Sequence, residues 1–239
     1  MGALFAVASG AVTLGGVGQP GDAAPWARDP AEVFLSYSVS VDTTRDEISS
    51  GSLDPDIFQS LYSEVGLGRR LTLGVDVGGD DEDTLGAAFV RYTFTRNAAI
   101  WQVATDLGFG LREDGGEEAE LFRTGFSVGR GFTRGTLDWL PFVDPRGGWF
   151  SIDSSAYIDP DGDQSLWQSE ATFGVNFTDR YAAMMQLKVE EYPGSDFSVF
   201  ISPSVLATVG EATTLQAGGR FGVEGSEDVG LRLGVWREF

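Results

Sequence analysis

The chain has 239 residues, enough for one sizeable domain or one closed barrel. It contains no cysteine and no histidine, which excludes disulfides, thiolate metal sites and the commonest general base. Its net charge of -20 excludes nucleic acid as a partner but not a membrane, because a polyanion demands a basic face whereas loop charge can sit outside the lipid.

The first element in chain order is a run of small, apolar, uncharged residues over 3–19, ALFAVASGAVTLGGVGQ, followed by a small-residue zone from Gly21 to Ala27. This reads as the apolar core and cleavage region of a secretory signal peptide, or its remnant, over 1–27. A positively charged start is missing, and a flexible Gly/Ala-rich N-terminus is the alternative. Beyond it no run of 18 or more apolar residues occurs, so no spanning helix is predicted.

From residue 31 onward the dominant period is two. Val33, Leu35, Tyr37, Val39 and Val41 alternate with Phe34, Ser36, Ser38, Ser40 and Asp42. Leu71, Leu73, Val75 and Val77 alternate with Thr72, Gly74, Asp76 and Gly78. Such alternation sets one face in an apolar medium and the other in a polar one. Twelve such segments are predicted, at 31–42, 57–67, 71–78, 85–95, 98–112, 119–129, 147–158, 164–177, 181–189, 197–207, 212–223 and 228–239. Most are close to the about 9 to 11 residues with which a tilted strand crosses a bilayer. No run carries a convincing helical period.

The connections fall into two alternating classes. The odd ones are acidic, as in Asp80-Asp81-Glu82-Asp83 and Glu113-Asp114-Gly115-Gly116-Glu117-Glu118, and together hold twenty-one acids against Arg45 alone. The even ones, such as Gly68-Arg69-Arg70 and Thr178-Asp179-Arg180, together hold seven arginines against four acids. A soluble β-protein has no reason to sort loop charge by hairpin parity, whereas a barrel with its ends in two compartments has one. The predicted fold is therefore all-β: a closed antiparallel up-and-down transmembrane β-barrel over 28–239, with about twelve strands. Ten to fourteen remain open, because Trp139-Leu140-Pro141-Phe142 in the stretch 130–146 could form an extra strand pair, lie in the interface or plug the bore. With both termini at the arginine-bearing end and tight turns periplasmic, the acidic loops face outward.

The apolar parity of these strands carries Arg237 as its one charge. Aromatics gather at its ends: Phe94, Trp101, Phe150, Phe177, Tyr181 and Phe239 at one, Phe109, Phe122, Trp167, Phe197 and Phe221 at the other, as interfacial girdles would require. The inward parity gives the bases Arg91, Arg112, Arg123, Lys188, Arg220 and Arg232. It gives the acids Asp42, Glu64, Asp76, Asp106, Asp153, Glu170 and Glu238. Matched charges of this kind pair across a lumen, since an unpaired buried charge is costly. With Phe58, Tyr62, Phe89, Met184, Phe200 and Trp236 also inward, a narrow or closed, charge-balanced bore is expected.

The last segment, Val229 to Phe239, resembles the C-terminal assembly signal of bacterial outer-membrane β-barrels, an alternating strand ending in phenylalanine. Leu231, Leu233, Val235 and Phe239 carry the likeness, and Arg237 departs from it, standing where the pattern has an apolar residue. At the level of pattern the resemblance covers 31–239 and extends to barrel proteins of α-proteobacteria. It implies a Gram-negative outer membrane as location, with outer-membrane lipid, lipopolysaccharide and the barrel-assembly machinery as partners. Outer-membrane phospholipases, lipid A deacylases and omptin-type proteases use a catalytic histidine, which this chain lacks.

Two motifs mimic chemistry. Gly125-Phe126-Ser127-Val128-Gly129 matches a hydrolase elbow but lies inside an alternating strand, where Ser127 is a small lumen residue. Asp159, Asp161 and Asp163 match the start of a calcium loop, yet Gln164 replaces the turn glycine and Glu170 belongs to a strand, so the loop is at most a weak divalent-cation site. No cofactor is expected. The favoured reading is a non-catalytic structural or surface-interaction barrel. A passive channel for small solutes and a soluble secreted β-barrel or sandwich binding a small ligand are the alternatives.

Overall fold

Each alternating segment forms one strand. The computed structural model describes residues 25–52, 54–81, 83–95, 100–133, 146–160, 165–194 and 196–239. Among them the strands are β1 (Val33–Thr44), β2 (Asp56–Gly66), β3 (Leu71–Gly79), β4 (Asp83–Thr93), β5 (Gln102–Asp114), β6 (Glu117–Thr133), β7 (Gly147–Ile158), β8 (Leu166–Asn176), β9 (Tyr181–Glu191), β10 (Ser198–Val209), β11 (Thr213–Glu224) and β12 (Asp228–Glu238). Sequence neighbours pair antiparallel throughout, and β1 pairs with β12 to close the ring. The seam runs without a break from Phe34↔Glu238 to Thr44↔Asp228. The Phe239 N–H donates to the Val33 carbonyl at 2.9 Å, which ties the terminal residue into the seam. Closure matters because hydrocarbon offers no partner to an open sheet edge.

The outside of the ring is apolar. Leu107 is 66% exposed and Leu231 72%, in a band that also includes Val75, Val90, Phe126, Leu187 and Val205. A belt of this extent opposes a soluble protein and matches a barrel that spans a bilayer. The aromatic residues assigned to the two girdles are exposed on this surface, except Phe150, which is half-buried. The Phe109 and Phe122 rings meet across β5 and β6 with centroids 5.2 Å apart. On the observed strands Arg237 is not the one charge of the outward parity: Glu113, Glu118, Glu120 and Glu191 share it at the loop ends of β5, β6 and β9, and Arg130 at the turn end of β6.

One short helix forms where none was expected, α1 (Arg45–Ser50), in the loop after β1. Thr44 caps it: its hydroxyl accepts from the Glu47 N–H, and the Glu47 carboxylate accepts from the Thr44 N–H at 3.0 Å. Gly51, at φ 72°, ends it in the left-handed region. Six residues are too few to show a hydrophobic period, but the T-x-x-E spacing of a capping box was present in the sequence. The 134–145 stretch, with Trp139 to Phe142, lies outside the described residues.

The inward faces fill the half of the bore nearest the turns and termini. Phe34, Tyr62, Phe89, Trp149, Ala182, Met184, Leu206 and Trp236 form one buried cluster, with Trp26 packed against it. Trp149 is only 2% exposed. It fits because Gly174 faces it from β8, where a Cβ would lie 2.1 Å from the indole ring. Tyr157, Leu121, Ala87 and Leu166 make a second, smaller cluster.

Candidate functional site

The bore is organised in levels along the barrel axis. At the turn end, residues 25–32 precede β1 and fold into the opening. Pro25 is fully buried, and its carbonyl accepts from the Thr93 hydroxyl at 3.1 Å. The Ala31 N–H donates to the Gly66 carbonyl at 2.9 Å, and the Gly66 N–H to the Glu32 carbonyl at 3.0 Å. Arg28 reaches inward: its Nε donates to Glu64 at 2.9 Å, and Glu32 and Glu238 stand 3.7 Å from its Nη1. Its guanidinium lies 4.5 Å over the Phe34 ring.

The middle level is an ion-pair chain. Arg91 pairs with Glu64 and stands 3.9 Å from Asp106. The Tyr62 hydroxyl donates to Glu64 at 2.6 Å. Arg123 donates to Asp106 at 3.1 Å and to Asp76 at 3.4 Å, and lies 4.0 Å over the Phe89 ring. Glu64, Arg91, Asp106 and Arg123 are all buried. Removed from water, such charges persist only as mutual partners, so this level is held by its own pairing.

Above it, toward the acidic loops, lies a cavity of about 570 Å³. Its wall mixes serines (Ser38, Ser40, Ser60, Ser202), aromatic rings (Phe58, Tyr157, Tyr192, Phe200) and charges. Arg220 donates to Asp42 at 3.0 Å and stands 3.7 Å over the Phe200 ring, which a register shift in β10 at Val199/Phe200 accompanies. Lys188 holds Glu190 at 2.6 Å. Arg112 holds Asp83 at 3.0 Å and Asp114 at 2.7 Å. Arg232 donates to the Ser38 hydroxyl at 3.2 Å. Glu170 accepts from Gln186 at 2.7 Å and sits opposite Asp153 in the β7–β8 register.

The predicted lumen charges thus fall into three groups. Glu64, Arg91, Asp106, Arg123 and Asp76 come together in the middle; Asp42, Arg112, Asp153, Glu170, Lys188, Arg220 and Arg232 line the cavity with Asp76, Asp106 and Arg123 above that chain; Glu238 stands at the turn end beside Arg28. The expected charge balance does not extend to the cavity. Its described wall carries ten aspartates and glutamates against five arginines and lysines. The excess comes from residues the sequence had assigned to loops, Glu190, Asp83, Asp56, Asp80 and Asp228. Glu190 continues the inward parity of Met184, Gln186 and Lys188, and Asp83 that of Leu85, so both were legible once the strands were extended by two residues. Arg28 precedes any alternation and left no such signal.

Ser127 lies mid-strand in β6, which continues to Thr133; it is buried, and its hydroxyl has no hydrogen-bond partner among the described residues. Among the described residues no three carboxylates converge to hold a metal ion; Asp161 and Asp163 lie outside them. The assembly-pattern residues Leu231 and Leu233 are exposed on the lipid side of β12, as is Phe239 beyond it, whose ring lies 4.7 Å from the Arg237 guanidinium; Val235 shares their parity.

No family model and no curated protein sequence matches the chain. Solved structures do. The NanC porin is 10% identical, with a TM-score of 0.58 over 86% of this chain and 100% of that one. The KdgM porin in complex with oligogalacturonate is 10% identical, with a TM-score of 0.57 over 86% and 99%. An outer membrane channel of Pseudomonas putida F1 is 12% identical, with a TM-score of 0.52 over 93% and 100%. In fold the chain is a bacterial outer-membrane β-barrel of the porin-like kind.

Proposed function

We propose that this chain is a non-catalytic outer-membrane barrel, closed at its periplasmic turn end at rest, that opens a blind acidic vestibule to the outside. The observation that carries this reading is the filled lower bore, where Trp149, Trp236, Phe34, Met184 and Leu206 pack together beneath the Glu64–Arg91 pair. Residues 25–32 add a second layer at the same end. The lack of histidine and cysteine supports a role without catalysis. On this reading the apolar belt meets lipid, the acidic loops meet lipopolysaccharide through divalent cations, and the strand ending in Phe239 meets the assembly machinery.

A passive channel for small solutes is the second reading, favoured by the likeness to porins and to an outer membrane channel. Planar-bilayer recording separates the two. The closed barrel is expected to give a quiet membrane at moderate voltage. Stable, reproducible open-channel steps from the whole chain would overturn it in favour of the channel.

A further inference from the structure

We infer that the vestibule is a binding site for small organic polycations of the amine class; the inference rests on the reading of a blind, outward-opening barrel. The cavity, at about 570 Å³, has the size of a small-molecule site. Its described wall holds ten carboxylates against five bases, and each base is already engaged. Arg112 is held by Asp83, Arg123 by Asp106, Lys188 by Glu190 and Arg220 by Asp42, while Arg232 donates to Ser38. An acidic saccharide would therefore meet surplus carboxylate and bases already committed, which is repulsion without compensation.

The wall also displays how it receives a cation. The Arg220 guanidinium lies over the Phe200 ring, 3.0 Å from Asp42 and 3.7 Å from Glu190. Arg112 repeats the arrangement, 5.4 Å from the Tyr192 ring with Asp83 beside it. A positive group between an aromatic face and a carboxylate gains from both. An independent observation points the same way: Ser127, only 2% exposed, lines the cavity with a hydroxyl that has no hydrogen-bond partner among the described residues, an acceptor open to an ammonium N–H. The carboxylates are spread around the wall, and among the described residues no three converge. A compact metal ion needs convergent oxygens. A flexible chain bearing several amines can instead reach dispersed ones.

The test is titration calorimetry of the whole chain folded in detergent micelles at low salt, with spermidine as the probe. Saturable binding is expected, weakening as salt is raised. Fully N-acetylated spermidine, calcium chloride and digalacturonate are expected to bind far less. The triple variant Asp56→Asn, Asp80→Asn, Asp228→Asn removes charge from the vestibule wall and is expected to weaken spermidine roughly tenfold. The triple variant Glu118→Gln, Asp196→Asn, Glu211→Gln removes as much charge elsewhere and is expected to leave binding unchanged. No saturable binding, equal losses in both triples, or preference for the acetylated probe, calcium or digalacturonate would overturn the assignment. The acetylated probe tests the unmodified chain, so the outcome does not depend on the variants folding. Conductance steps with spermidine binding intact would remove the blind-end reading alone; a quiet membrane without spermidine binding would remove this one alone.

Discussion

Arg91 is 1% exposed, and Glu64, which it pairs with, also holds Arg28 and Tyr62. Charges buried this deeply are stabilised by one another, so the loss of one strands its partner. Arg91→Met alone should cost about 3–5 kcal/mol. Glu64→Leu alone should cost a similar amount, because Arg91 then loses its close carboxylate and keeps the Tyr62 hydroxyl at 3.3 Å and the longer contact to Asp106. The double variant should recover most of the loss, since Asp106 retains Arg123 and Arg28 retains Glu32 and Glu238. Urea unfolding of the barrel in lipid vesicles checks this; additive losses would mean the two residues act independently. Except for Arg28, which precedes the first strand, the identities of these charges and their inward direction were readable from parity. Their partners were not: Arg28 and Glu64 lie 36 residues apart, and Arg220 and Asp42 lie 178 apart.

Two elements illustrate what local pattern can carry. Strand β5 was visible because its apolar residues recur every second position, and Leu107 stands near the middle of its lipid-facing side. Leu107→Arg should destabilise the folded barrel by about 2–4 kcal/mol if Leu107 sits near the bilayer midplane, and by little in a soluble setting. Chemical unfolding from vesicles measures the difference. Helix α1 went unseen because six residues give no period, although its capping box was written in Thr44 and Glu47. Hydrogen bonds from Thr43 and Thr44 hold the Glu47 carboxyl below its ordinary range. A depressed folded value means that the helix gains stability above the ordinary carboxylate pKa of about 4.3 and loses it as pH falls through the folded value. Amide protection factors across Arg45–Ser50, corrected for the intrinsic exchange rate, should therefore fall on acidification, and Glu47→Gln should remove that pH dependence. Unchanged protection from neutral to acid pH in the unmodified chain would contradict it.

At the scale of the whole molecule, the net charge of -20 is distributed by compartment rather than by partner. The twelve-strand ring separates an acidic rim from an arginine-bearing one, and a bilayer between them keeps the two apart. The bore divides the same way: apolar packing toward the turns, an ion-pair belt in the middle, an acidic cavity toward the loops. The quiet membrane expected in planar-bilayer recording belongs to this scale, because the proposed closure rests on packed side chains from seven strands and on residues 25–32 together.

The sequence by itself determined a meander of about twelve strands, with ten to fourteen open until the ring was seen to close at twelve, the face each strand turns to lipid and the two-sided sorting of loop charge. These follow from a period of two and from hairpin parity, both local properties of a meander whose neighbours in sequence are neighbours in space. The tertiary structure alone decided which charges pair, that residues 25–32 enter the bore, and that the cavity wall is acidic rather than balanced. Those outcomes depend on ring closure and on contacts across the lumen. There strands far apart in the chain face one another, and a strand extended by two residues turns a loop acid into part of the wall.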